Sequence, residues 1–293
     1  MARFHFADTS DSDMFYAVGG NISDPFFLIE MEGKSKIFLN ALEIDAFIDR
    51  NKNPAIEALP LDPFQQKAKT SEKGNELGKL ALAILESSGL SSKPLGVSRK
   101  FPLDVADYLR SRGVVLSVKT PFMPERAVKS SQEIGCIREA LTITDHAFKI
   151  IEQILSESHI EDQKVIYREE ILTSEFLKKR ASSFLFENGM DDPEGMIISS
   201  GAQAAMPHHK GAGPIRPNET IVCDLFPRSR ESGYFADMTR SYVKGAPSPH
   251  AAKMYEAVKL AQDKAFELIR PGVQARDVHN AAAKAIKSAG FEV

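Results

Sequence analysis

Tryptophan is absent from the 293 residues, cysteine occurs only twice, and neither sign of charge dominates. Cys136 and Cys223 are too few and too far apart for a disulfide scaffold or a zinc knuckle, so both read as reduced, structural residues. With 37 basic and 40 acidic side chains the net charge is -3. That balance offers no basic surplus for nucleic acid or an anionic membrane. Short basic groups such as Lys178-Lys179-Arg180 read as solvated helix faces. No window approaches the roughly 18 consecutive apolar residues of a membrane span. The amino terminus, MARFHFADTSDSD, lacks the apolar core and small-residue cleavage site of a leader. These absences lead us to expect a soluble, cytoplasmic protein with no nucleic-acid and no membrane partner.

What is present is a hydrophobic fraction of 43%, enough for a real core in one large domain or two ordinary ones. From Met14 to about Lys119 short β-like runs (MFYAVGG, FFLIEM, KIFLN, PLGVS, VVLSVK) alternate with helical ones (ALEIDAFIDR, Asp104 to Arg112). Pro121 and Pro124 in TPFMPER mark a linker. A long helix then opens at the capping-box pair Ser130 and Glu133, with Ile143, Ala147, Ile150, Ile151, Ile154 and Leu155 on one face. A second helix, around Glu175 to Glu187, stops at Asn188-Gly189. The pattern changes to strands in MIISSG, TIVCDLFP and YFADMTRSYVKG. Two closing helices follow, the first capped at Ser248-Pro249 with Met254, Val258, Ala261, Ala265 and Leu268 as its buried stripe. In the second, Val278, Ala282, Ala285, Ile286 and Ala289 repeat that stripe.

Asp224 and Asp237 stand near the middles of two of those apolar, β-prone runs, where a carboxylate is costly to bury. If the two runs form a hairpin turning at Arg230-Glu231, Asp224 lies directly opposite Asp237, with Cβ atoms about 4.5–5.5 Å apart on one face. Two ionised carboxylates that close repel unless a cation sits between them. Oxygen donors at that spacing suit Mn, Co, Fe or Zn, and two such ions about 3.5–4 Å apart can share a bridging aspartate. Exposed aspartates beside a surface hairpin are the bland alternative. By the same parity Phe226 and Phe235 share the aspartates' face and wall it, while Arg228, Arg230 and Glu231 fall at a tip read as solvated, the alternative being a contact with substrate or a partner subunit.

Upstream lies SSGAQAAMPHHKG, from Ser199 to Gly211. With Ser200-Gly201, Ala204, Pro207-His208, Asp224, Gly233-Tyr234 and Asp237-Met238-Thr239-Arg240, it resembles the pita-bread metallopeptidases, in particular the Xaa-Pro branch of prolidase and aminopeptidase P. The resemblance covers essentially the whole chain. It implies an α+β fold, with a creatinase/prolidase-type N-terminal α/β domain over residues 1–124 and an incomplete pita-bread domain over 125–293. That second domain is expected as an antiparallel sheet with helices on one face. It also implies a peptidase acting on peptides with proline at the second position, two divalent metal ions (Mn, Co, Zn or Fe) and a homodimer. Carried over residue by residue, Asp224 is a metal ligand, Asp237 the ligand bridging both ions, and His208 the histidine that positions the peptide carbonyl. His209 is read as its neighbour, and His5, His146, His159, His250 and His279 keep structural or surface roles.

The departures from the family pattern are Phe226 in place of a glycine, Gln203 in place of an asparagine, and a longer connection between the aspartates. The histidine and two glutamates that complete the family's site have no counterpart before Val293, and the chain stops at what reads as the start of a strand. A fragment of a longer peptidase is therefore expected. The alternatives are a non-catalytic scaffold with this fold, as in histone-chaperone subunits, or a metal-free creatinase-like hydrolase, against which the retained aspartate pair argues.

Overall fold

The computed structural model describes residues 1–69 and 74–293. Within them the chain divides into two compact units, Met1–Ile134 with Glu231–Gly233, and Gly135–Arg230 with Tyr234–Val293.

In the first unit, strands β1 (Arg3–Ala7), β2 (Phe26–Met31) and β3 (Lys34–Leu39) form an antiparallel centre. Around it lie α1 (Ser12–Val18), α2 (Ile44–Arg50), β4 (Ile56–Pro60), α3 (Asp62–Ala68), α4 (Glu76–Ser87), β5 (Leu95–Ser98), α5 (Leu103–Ser111) and β6 (Leu116–Lys119). The sheet order is β4-β3-β2-β1-β5-β6, with β4, β5 and β6 added in parallel. Strand side chains alternate between two cores. Phe4, Phe27, Ile29 and Phe38 pack with Ile84 and Leu85 of α4 and Val105 and Leu109 of α5. On the other face Phe26, Leu28, Ile37 and Leu39 meet Met14 and Val18 of α1 and Phe47 of α2.

The run MFYAVGG, expected as a strand, is the helix α1. Asp11 caps it, accepting from the Asp13 amide at 2.9 Å and the Met14 amide at 3.3 Å. That local cap, with Met14, Phe15 and Val18 buried together, outweighs the β-branched and aromatic content of the run.

The second unit contains α6 (Ser131–Glu157), β7 (His159–Glu161), β8 (Lys164–Tyr167), β9 (Glu170–Ile171), α7 (Ser174–Glu187) and β10 (Met190–Asp191). β11 (Ile197–Ser200), β12 (Thr220–Leu225), β13 (Arg228–Ser229), β14 (Met238–Val243), α8 (Pro249–Leu268) and α9 (Ala275–Ser288) complete it. The capping box is formed: the Ser130 amide donates to Glu133 Oε2 at 2.6 Å and the Glu133 amide to Ser130 Oγ at 3.3 Å. Ala147, Ile151, Ile154 and Leu155 of α6, with Leu177, Ala181 and Leu185 of α7, pack against Ile198, Ile221, Cys223 and Leu225. Those last four belong to an antiparallel sheet ordered β11-β12-β14.

One expected stripe is corrected. In α8 the buried residues are Ala257 and Ala261, whereas Met254 and Val258 stay 45% and 54% exposed. The helix turns its small residues inward, leaving those two larger ones at the edge of the stripe. In α9 no residue is fully buried. No helix among the described residues is long and apolar enough to cross a membrane.

Candidate functional site

β12 separates core from cavity by parity. Ile221, Cys223 and Leu225 are fully buried, and burial pushes the Cys223 thiol up to about 12. Asp224, between two of them, faces the other way and lines a cavity of about 640 Å³. Asp237, immediately before β14, lines the same cavity, as do Phe226 and Phe235, so the two aromatic walls expected from sequence are present.

The register differs from the expectation. Asp224 pairs with Thr239 rather than Asp237, and Leu225 with Met238. The same ladder continues through the Arg228–Phe235 bridge. Its turn is therefore centred one residue later than Arg230-Glu231, with Gly233 at φ +71° supplying the left-handed residue. Shifting the turn by one residue moves every pair by two, which leaves each side chain on its face. Asp224 and Asp237 thus become diagonal neighbours, a separation of about 7–8 Å between Cα atoms. The position opposite Asp224 belongs to Thr239, whose hydroxyl donates to Asp224 Oδ1 at 2.6 Å. At the tip Arg230 and Glu231 are exposed. Arg230 lies over the Phe186 ring at 4.4 Å and donates to the Phe186 carbonyl at 2.8 Å, satisfying an end group of α7.

His208 reaches the cavity from the loop between β11 and β12. That loop is clipped by Gln203, whose amide donates to the Ala212 carbonyl and accepts from the Ala212 amide, both at 3.0 Å. His209 accepts from the Gly211 amide through Nδ1 at 3.0 Å and so folds the loop rather than facing a ligand. Gly211, at φ +84°, passes so close to β11 that a Cβ there would lie 1.7 Å from the Ile198 carbonyl oxygen. The N-terminus of α7 holds the returning strand: Glu175 accepts from the Gly213 amide at 3.0 Å, a bond that keeps its carboxyl below the ordinary glutamate range.

Glu194 and Lys210 also line the cavity, and neither was singled out from sequence. Lys210 lies in the Pro-His loop itself, but nothing in its spacing tells cavity from solvent. Glu194 comes from a separate loop that only the tertiary fold brings near. Of the remaining histidines, His5 is fully buried beside the Phe122 ring, while His146 beside Phe184, His250 beside Phe291, His159 beside Glu161 and His279 are exposed.

The arrangement offers two carboxylates on one face, one oriented by a hydroxyl, with an imidazole and an ammonium around the same opening. Oxygen donors of this kind suit a hard or borderline divalent cation. They make part of a donor set, since no group of three or more His, Cys, Asp or Glu side chains able to hold a metal occurs among the described residues.

The sequence pattern of Metallopeptidase family M24 matches residues 135–293, more than half of the chain. The chain belongs to that family. A Xaa-Pro dipeptidase of Pyrococcus furiosus is 24% identical over 281 residues, covering 95% of this chain and 71% of the relative. A Xaa-Pro dipeptidase of Pyrococcus horikoshii is 28% identical over 204 residues, 68% of this chain and 54% of the relative. Among solved structures, the prolidase from Pyrococcus furiosus superposes with a TM-score of 0.72 at 20% identity, covering 99% of this chain and 76% of that one. The X-Pro aminopeptidase from Thermotoga maritima gives 0.73 at 18% identity, with 99% and 76% covered. The fold is therefore that of the M24 peptidases over both units.

Proposed function

We propose that this M24 chain forms part of a metal-dependent peptidase that hydrolyses Xaa-Pro bonds, of the dipeptidase or aminopeptidase P type. The observation that carries the reading is that Asp224, Asp237 and His208, from separate segments, line one cavity on the sheet face opposite the core. In this reading Asp224 and Asp237 would hold two divalent ions, with Mn, Co, Zn or Fe as candidates and Asp237 serving both. Bound ions of this kind lower the pKa of water and draw electron density from a peptide carbonyl. His208 orients that carbonyl and stabilises the charge that develops on its oxygen. Thr239 fixes one oxygen of Asp224, and the phenyl rings of Phe226 and Phe235 exclude water from the bound peptide. Residues 1–124 and 125–293 are assigned as an N-terminal domain and the catalytic-type domain, in a cytoplasmic homodimer.

The absence of a three-ligand cluster among the described residues favours a second reading, a scaffold of the same fold without catalysis. Titration of Mn²⁺ by calorimetry separates the two. Under the peptidase reading the chain binds Mn²⁺ and Asp224→Asn weakens it at least about tenfold, the loss typical of a removed ligand or its support. Equal affinity in wild type and Asp224→Asn sinks the metal assignment. No binding by the wild type gives the scaffold reading.

A further inference from the structure

Lys210 is the one lysine or arginine among the described residues lining the cavity, which it shares with the carboxylates of Glu194, Asp224 and Asp237. Its ammonium sits 5.0 Å from the centre of the Phe226 ring and donates to the Gly195 carbonyl. No ion pair neutralises it among the described residues. An ammonium has three donors, so those left over by the Gly195 carbonyl are open to an anion.

A lysine stem is among the most costly side chains to order. Here the ring on one side and the carbonyl on the other already restrict it, and a preorganised group loses less on binding a ligand. A glycine at 226 would offer no such seat. Glu194, Asp224 and Asp237 are carboxylates, so Lys210 is, besides His208, the one basic side chain that a negatively charged substrate group meets among the described lining residues.

Resting on the peptidase reading above, we infer that Lys210, seated on Phe226, determines specificity by receiving a carboxylate of the bound peptide. Two sources share that chemistry. In a dipeptide it is the free C-terminal carboxylate of the second residue, and in a longer or blocked peptide it is an acidic side chain. A cavity of about 640 Å³ has room for either.

Ligand-observed NMR titration in EDTA-containing buffer at neutral pH, where no turnover intervenes, tests this with Ala-Pro, Ala-Pro amide and Asp-Pro amide. We expect wild type to bind Ala-Pro about tenfold more tightly than Ala-Pro amide, the gain of one charge-assisted pair. Lys210→Met should erase that difference while leaving the amide's affinity unchanged, and Lys210→Arg should retain most of it. A Lys210-dependent gain for Asp-Pro amide instead supports the inference with the side chain as source. It is overturned if all three probes bind equally to wild type, if the gain survives in Lys210→Met, or if no probe binds at millimolar concentration. Mn²⁺ titrations of the same proteins keep the two claims apart. Mn²⁺ binding that needs Asp224, without any Lys210-dependent selectivity, removes only the inference. Lys210-dependent selectivity without Mn²⁺ binding removes only the metal reading.

Discussion

Thr239 stands across the ladder from Asp224 and donates to its Oδ1, which restrains a carboxylate that lines the cavity. Groups that orient a metal-binding carboxylate typically contribute about 10- to 100-fold in metal affinity. Thr239→Val keeps the shape and removes the donor. Calorimetry should then show Mn²⁺ affinity about tenfold lower, with thermal stability little changed, and an unaltered affinity would remove Thr239 from the site. That Asp224, Asp237 and His208 lie around one cavity was legible in the sequence because each sits in a motif whose parity or loop context survives a two-residue change of register. The pairing partner of Asp224 was not legible, because the hairpin's centre depends on which residue of the tip takes positive φ. Glu194 and Lys210 escaped for a different reason: an isolated charge carries no periodicity.

Among the elements, α6 and α7 were readable almost to their ends, since Ser130, Glu133 and Asn188 mark them chemically and the apolar stripe does the rest. α1 was misread because an aspartate cap outweighs a β-prone composition, and the Met254–Val258 edge of α8 because periodicity tells where a stripe is but not how far it is rotated. The N-terminus of α7 carries a further consequence through Glu175, which is exposed yet bonded to the Gly213 amide of the His208 loop. Its folded pKa lies below the ordinary value, so near that value the unfolded chain binds more protons and stability rises with pH. The contribution is complete above the usual glutamate range, about 4.3, and is lost as pH falls through the lowered folded value. Urea midpoints measured from about pH 5 downward should therefore fall less steeply for Glu175→Gln than for wild type. Parallel curves would show that the bond contributes no acid-linked stability.

At the scale of the molecule, the two clusters flanking the six-stranded sheet are built entirely from residues between Ala2 and Met123, and the third cluster from residues between Ala140 and Tyr242. Each set contains its own sheet and its own covering helices, which is the physical requirement for a domain that folds alone. The proposed ions, by contrast, belong to the second set only. A protein of residues 1–129, ending before the α6 cap, should give a cooperative thermal transition by circular dichroism. Ligand binding to the folded state stabilises by mass action, about 2.7 kcal/mol at a hundredfold excess over Kd. Mn²⁺ at that excess should accordingly raise a transition of the full chain and leave that of residues 1–129 unmoved. A shift in the shorter protein would place a metal site in the first unit and away from Asp224. Failure of that protein to melt cooperatively would show that its two filled cores still depend on residues beyond 129, and the assignment of an autonomous N-terminal domain would fall with it.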